Sequence, residues 1–346
     1  MILINTMTVD KELLNSIKIT PLIDTLKLED IDDDIYFSEK YKNYISNSRL
    51  GLLKSKGVQA FFDGIKSDYN PSFALGTALH ELVLQPESFE LIDSVFKPTA
   101  KAGLMADYLY NPNGVPPTDD DIKSASYKIG YYKDKLTPNR LTEFKIKADP
   151  YWRDRYLYEQ KNPLTDKSKE RIYTDEKSVE ILKCCLESLQ EDKNIQSLLH
   201  PLEVVTTPYI ANERTILLDI QADIEGYESK VYHIKAKLDN FTIEDDLLTV
   251  NDLKTTSRLA KDFDLEYFSY QRELAGYSWL LKLAAKKFFN IENPKIKGNF
   301  LVVSTVPNYN TMVYPMTDKL FKSGWNEYVY LLKVVIYYNI VKGYDL

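Results

Sequence analysis

A chain of 346 residues, 44% hydrophobic and 27% charged, has room for one elaborated domain or two around a sizeable core. Its 44 basic and 51 acidic residues leave a net charge of −7, which excludes a protein that coats nucleic acid through bulk positive charge and confines any nucleic-acid track to a local surface. Cys184 and Cys185 are the two cysteines, too few for a four-cysteine zinc or iron–sulfur centre and, being adjacent, a poor disulfide prospect.

No apolar run is long enough to span a bilayer, and MILINTMTVDKELL lacks the pattern of a signal peptide, so a reducing, cytoplasmic setting is expected. Residues 1–40 are acidic (LEDIDDDIYFSEKY closes the stretch) and read as an irregular, surface-packed arm. From Tyr44 the run ISNSRLGLLKSKGVQAFFDGI has helical spacing, with Ser46 or Asn47 as N-cap ahead of Leu50, Leu53 and Val58. Ser48 and Arg49 have two readings: a cap with a solvated arginine, or a phosphate contact where helix N–H groups favour anions.

PSFALGTALHELVLQPESF predicts a helix over 73–84 ended by Pro86, with Gly76 and His80 on one face. His80 reads either as a core histidine or as a metal ligand. Residues 101–170 change character, beginning with the loop PNGVPPTDDD and continuing with Lys/Arg interleaved with Tyr/Trp. That composition suits single-strand or end binding, and equally describes exposed amphipathic helices. The stretch is expected as a helical insertion, not a separately folding unit. A helix is predicted over 173–199 with Thr174 as cap. LEVVTTPYIA and RTILLDIQADI then alternate as strands, where Glu203 is a strand-edge acid or a neighbour of a metal face.

The chemistry concentrates in VYHIKAKLDNFTIEDDLLTVNDLKTT, residues 231–256. Read as strand, turn at Glu244-Asp245-Asp246, strand, it puts His233, Lys235, Lys237 and Asp239 on one face of the first strand. Asp252 and Lys254 share a face of the second. The hairpin can therefore gather two carboxylates and an ammonium. Two carboxylates suit Mg²⁺, a hard cation with oxygen ligands, and a neighbouring lysine can orient a water and stabilise a developing anion. Asp-x12-Asp-x-Lys is thus a metal-dependent phosphodiesterase pattern, its alternative being an ordinary surface hairpin. After it come a long helix containing Gln271, Glu273 and Tyr277 and capped by Asp262 or Asp264, strands at KIKGNFLVVSTV and TMVYPM, and a final helix over 320–341. There is no internal repeat.

The order Ser-x-Ser-Arg-Leu (46–50), Gly-x-x-x-His (76–80) with Pro-Glu-x-Phe, Lys-Leu-Asp (237–239), Asp-Leu-Lys-Thr-Thr (252–256) and a helix carrying Tyr277 resembles the PD-(D/E)XK nuclease superfamily. More narrowly, it is similar to phage exonucleases of the exodeoxyribonuclease VIII type, relatives of lambda exonuclease and the RecB-type nuclease domain. The match runs over about 41–305 and skips 101–170. It implies an α/β (α+β) fold with a restriction-endonuclease-like core, a central mixed β-sheet flanked by helices plus the helical insertion, in one domain over 41–346. It implies Asp239, Asp252, His80 and the Leu253 carbonyl as ligands of Mg²⁺ or Mn²⁺, Lys254 as catalytic lysine, and Tyr277 with Gln271 or Glu273 in the following helix. The usual Gln-x-x-x-Tyr spacing falls on Glu273, so the glutamine's role stays open between the two. Leu238 stands in place of the proline. Ser48, Arg49 and Lys237 are the candidate DNA or phosphate contacts. The activity implied is exonucleolytic hydrolysis of linear double-stranded DNA, 5′ to 3′, in phage-type recombination. A single-strand annealing protein is the implied partner, a ring-forming homo-oligomer the implied assembly, and no membrane is involved. An endonuclease or nickase on the same core, and a DNA-binding protein on a retired one, are the alternatives.

Overall fold

The structure, a computed structural model, describes residues 9–64, 71–131, 136–166, 169–201, 208–267 and 269–346. In chain order they form α1 (Lys11–Ser16), β1 (Lys18–Asp30), α2 (Asp33–Tyr36), α3 (Asn47–Lys56), α4 (Val58–Asp63), α5 (Pro71–Leu84), β2 (Phe89–Ile92), α6 (Ala100–Leu109), α7 (Asp119–Ile129), α8 (Pro138–Lys161) and β3 (Glu170–Tyr173). There follow α9 (Glu176–Glu191), α10 (Lys193–Leu199), β4 (Tyr209–Asp223), β5 (Lys230–Glu244), β6 (Leu247–Thr256), α11 (Tyr270–Phe289), β7 (Lys295–Ser304), β8 (Thr311–Pro315) and α12 (Asp318–Lys342). They divide into two units, one of Met1–Ser67, Gln190–Val303 and Asn310–Leu346, the other of Asp68–Leu189 and Ser304–Tyr309.

The first unit is built on a six-stranded sheet in the order β1-β4-β5-β6-β7-β8. β1, β4, β5 and β6 run antiparallel to their neighbours, as do β7 and β8. Between β6 and β7 the contacts advance together, Lys295 N to Asp246 O and then Asn299 to Asn251, so this pair is parallel and the sheet is mixed. A parallel pair needs a crossover, which α11 provides. The β5–β6 hairpin turns on Asp245-Asp246, closed by the pair Glu244/Leu247, with Asp245 in the left-handed region at φ 52°. β4, β5, β6, β7, α11 and α12 share one core that includes Ile216, Leu218, Ile234, Leu238, Val250, Leu274, Leu281, Phe300 and Val335, all buried. Each such side chain contributes roughly 1.5–3 kcal/mol when fully buried.

A chain of buried amides crosses four of these strands. Asn240 donates to Asn212 at 2.7 Å, Asn251 to Asn240 at 2.7 Å, and Asn299 to Asn251 at 2.9 Å. A second donor of Asn251 reaches the Leu198 carbonyl at the end of α10, 3.0 Å away. A one-residue slip would turn these amides to the other face, so the ladder pins the register of β4 through β7.

Three sequence expectations differ from the fold. The stretch read as an irregular arm contains β1. Pro21, the acids and a bulge between Leu22 and Lys27 hide its alternation, and all three suit an edge strand. The run from Tyr44 is two helices, broken at Gly57 with φ 88°. The predicted helix over 173–199 is also two, because the Asp192 carboxylate accepts from Asn194 N and Ile195 N and starts α10 afresh.

The second unit packs α6, α7 and α8 around Ile92, Met105, Ile122, Phe144, Ala148 and Tyr151, beside the parallel pair β2/β3. Several of its interleaved cations and aromatics turn inward. Arg155 donates to Glu159 at 2.9 Å and to Asp107 at 3.1 Å, with its guanidinium 4.0 Å and 4.3 Å from the ring centroids of Tyr110 and Tyr173. Trp152 donates to the Ala106 carbonyl. Tyr127, in contrast, is 88% exposed.

Candidate metal centre

The register of the first unit lines up three carboxylates. The pairs Asn212/Asn240 and Arg214/Leu238 flank Glu213 and Asp239 and put them opposite each other on β4 and β5. The β5–β6 ladder ends at Asn240/Asn251, so Asp239 and Asp252 are the first residues beyond it, where the two strands part. Past that fork the edge of β5 is taken by Ile45, which bonds to His233 and Lys235. The Leu253 N–H, freed from the ladder, donates instead to Asp239 Oδ2 at 2.8 Å and fixes that carboxylate. Adjacent residues face opposite ways along a strand, so the amide ladder and the carboxylate row lie on opposite faces of one set of backbones.

Glu213 is held with φ 52°, a conformation costing a non-glycine residue on the order of 1–3 kcal/mol. One of its oxygens lies within 4.8 Å of an Asp239 oxygen. Burial and the neighbouring Asp239 push its pKa up to about 8, against the opposing pull of Lys237, whose ammonium is 3.3 Å away. Asp252 is 1% exposed, and neither of its oxygens accepts a hydrogen bond among the described residues. Lys254 Nζ lies 2.7 Å from Asp252 Oδ2, an ion pair whose angle misses hydrogen-bond geometry. Burial, then Asp239 and Glu273, hold the Asp252 carboxyl well above its ordinary range despite Lys254. Burial alone would discharge Lys254, but Asp252, Glu273 and Asp239 outweigh it and keep the ammonium charged.

α11 delivers the other side of the pocket. Glu273 Oε2 is 3.7 Å from Lys254 Nζ, and the Tyr277 hydroxyl donates to Glu273 Oε1 at 2.9 Å, one helical turn on. The Tyr270 ring underlies the Lys254 ammonium at 5.2 Å. Burial, then Glu273, raises the Tyr277 pKa and keeps its hydroxyl a donor. A buried carboxylate without donors, beside two more carboxylates, is an arrangement that a cation would satisfy. An all-oxygen donor set suits a hard divalent ion such as Mg²⁺ or Mn²⁺ better than a thiophilic one.

The structure thus brings together Asp239, Asp252, Lys254, Glu273 and Tyr277 of the residues expected from sequence. Gln271, two positions before Glu273, is buried elsewhere on the helix, its Oε1 without a hydrogen bond among the described residues. Glu273 is the one that reaches Lys254. His80 stands half-buried on α5 of the second unit, one turn after Gly76. Arg49 donates to the carbonyls of Lys42 (2.8 Å), Tyr44 (3.2 Å) and Phe61 (3.2 Å) and stacks on Phe61. The exposed Ser48 hydroxyl is 2.9 Å from that of Ser46, which caps α3. Lys237 is engaged by Asp33 at 2.5 Å as well as Glu213. Glu203 lies outside the described residues. Glu213 was not anticipated. Its signal was available in Gly226, the midpoint between 213 and 239, which has φ 83° in the β4–β5 turn. A symmetric hairpin centred there pairs Glu213 with Asp239.

No protein-family model matches the chain, and no curated protein does. Among solved structures it is similar to one described as a “Putative exonuclease” from Eubacterium rectale, with a TM-score of 0.47, 10% identity, and coverage of 92% of this chain and 89% of that one. A second, the protein SSO0001, has a TM-score of 0.26 and 14% identity over 76% of this chain and 85% of its own. At these levels the functional reading rests on the site itself.

Proposed function

We propose that the chain is a divalent-metal-dependent deoxyribonuclease, and more finely an exonuclease that degrades linear double-stranded DNA from its 5′ ends in phage-type recombination. The observation that carries this reading is Asp252: a carboxylate buried without hydrogen-bond donors, paired to Lys254 at the fork beside Asp239. A catalytically retired core would have no reason to keep so costly a group.

Asp239 and Asp252 would hold the cation, with Glu213 beside them. The motif resemblance adds His80 and the Leu253 carbonyl to the ligands. Bound there, Mg²⁺ or Mn²⁺ supplies acidity to a water and offsets charge on phosphoryl oxygens. Lys254, kept cationic by its three acidic neighbours, orients the attacking water and stabilises the negative charge that gathers as the water oxygen bonds to phosphorus and the P–O bond to the leaving oxygen breaks. Glu273 and Tyr277 position Lys254. The proposed partners are DNA ends, a single-strand annealing protein and further copies of this chain in a ring. No helix among the described residues is long and apolar enough to cross a membrane.

The test is digestion of end-labelled linear and closed circular duplex DNA, in Mg²⁺ or EDTA, by wild type and Lys254→Ala. Progressive loss of the linear substrate alone, stopped by EDTA and reduced at least about 100-fold by the substitution, is the expected result. Cutting of the circle would shift the assignment to an endonuclease. Absence of metal-dependent cleavage of either substrate would refute the enzyme.

A further inference from the structure

The acidic stretch LEDIDDD, residues 28–34, has no part in the reading above, yet it meets the functional face. The Asp33 carboxylate accepts from Lys237 Nζ at 2.5 Å. Three residues on, the Tyr36 carbonyl accepts from Lys235 Nζ at 2.6 Å, and the Tyr36 ring lies 4.1 Å from the same ammonium. Lys235 and Lys237 share the face of β5 that carries Asp239. Residues 33–36 therefore cover both cations nearest the carboxylate row.

The pair is asymmetric. The Lys237 side chain is 14% exposed and wedged against Glu213, whereas Asp33 is 53% exposed on the four-residue helix α2. Lys237 needs an anionic partner there, since burial opposes its charge and Asp33 and Glu213 together restore it. Asp33 needs no such partner, because a carboxylate that exposed is already hydrated. A contact of that kind is worth about 0–1 kcal/mol and is readily exchanged.

We infer that Asp33 is a displaceable stand-in for a DNA phosphate: it occupies Lys237 beside the carboxylate row until a backbone phosphate of the substrate takes its place. The inference rests on the nuclease reading and gives that site a built-in competitor. It also gives the acidic segment a job: the negative charge that disfavours a DNA enzyme overall acts at one lysine, and lifting it exposes a phosphate contact.

The experiment measures binding of a fluorescent linear duplex by anisotropy across a salt series, using full-length chain in a Lys254→Ala background with Mg²⁺. Adding Asp33→Asn should tighten binding about 3–10-fold and steepen the salt slope by about 0.9, one extra phosphate contact. Asp34→Asn makes the same charge change at an exposed side chain with no contact among the described residues, and should move affinity less than about twofold. Lys237→Gln combined with Asp33→Asn should erase the gain. Equal effects of Asp33→Asn and Asp34→Asn would overturn the inference, as would weaker binding by Asp33→Asn, while leaving a binding, cleaving parent and hence the nuclease intact. A parent that binds no duplex, with a wild type that cleaves none, fails the nuclease reading and this inference with it.

Discussion

Asp252→Asn separates what the carboxylate does for function from what it does for the fold. In the metal-free chain, Asp252 is a buried carboxylate without hydrogen bonds, and burial, Asp239 and Glu273 all push it toward the protonated form. An asparagine keeps the shape and removes the repulsion, while Lys254 retains Glu273 at 3.7 Å. Relief of an unsatisfied buried acceptor is worth about 1–3 kcal/mol, and the weakened ion pair with Lys254 offsets part of it. In EDTA the variant should therefore melt at or a few degrees above wild type. Metal reverses the order. A ligand at 100 times its Kd stabilises by about 2.7 kcal/mol, which at roughly 2–4 °C per kcal/mol is a shift of about 5–11 °C for wild type. The variant, lacking one of the carboxylates at the fork, should lose most of that shift together with cleavage. Differential scanning fluorimetry against a Mg²⁺ or Mn²⁺ titration reads both. A melting temperature several degrees below wild type in EDTA, or an equal metal shift in both proteins, would refute the assignment of Asp252 as a ligand held in place at the expense of stability.

Two further substitutions probe the scaffold. Asn251→Ala leaves Asn240 Oδ1 and the Leu198 carbonyl without their donor and Asn299 Nδ2 without its acceptor; at about 1–3 kcal/mol per orphaned group it should cost 3 kcal/mol or more, seen as a lower urea midpoint, and a neutral result would dismiss the ladder as a register pin. Burial, then Arg49, lowers the Lys235 pKa to about 8, so between pH 8 and 10.5 the unfolded chain binds more protons than the folded one and stability rises with pH. Lys235→Met removes a penalty of up to about 3 kcal/mol, less the lost bond to Tyr36. It should raise the urea midpoint at pH 7 by about 1 kcal/mol or more and lose that advantage above pH 10; a destabilisation of equal size at both pH values would contradict the sign.

The part of the site that was legible in sequence is the part that local geometry determines. Asp239 and Asp252 could be placed because they straddle a two-residue turn, and counting outward from Asp245-Asp246 gives their register directly. Lys254 follows from the strand period. Glu213 depends on a second hairpin whose centre, Gly226, lies in a longer turn, so its register was not counted. Arg49 shows a different limit. An arginine at a helix start can serve a ligand or the chain, and three backbone carbonyls decide for the chain only once the fold is known. The ambiguity between Gln271 and Glu273 is likewise geometric: the two positions are about 200° apart around a helix, and the contact with Lys254 selects Glu273.

The site and its support are coupled through the pleat. A row of acids across neighbouring strands repels itself, and left alone it would favour slipping or splaying the sheet until water reached each carboxylate. In this chain the residue next to each acid is an asparagine: Asn212 before Glu213, Asn240 after Asp239, Asn251 before Asp252. Because neighbours in a strand face opposite ways, the amides can bond to one another on one side while the acids stay free on the other. The same backbone positions that hold the strands in register thus hold the carboxylates at the spacing a cation requires. It follows that substitutions in the ladder should impair metal binding in proportion to register loss, even though no amide faces the acids. The size of the metal-induced melting shift in Asn251→Ala, compared with its loss of stability in EDTA, measures that coupling.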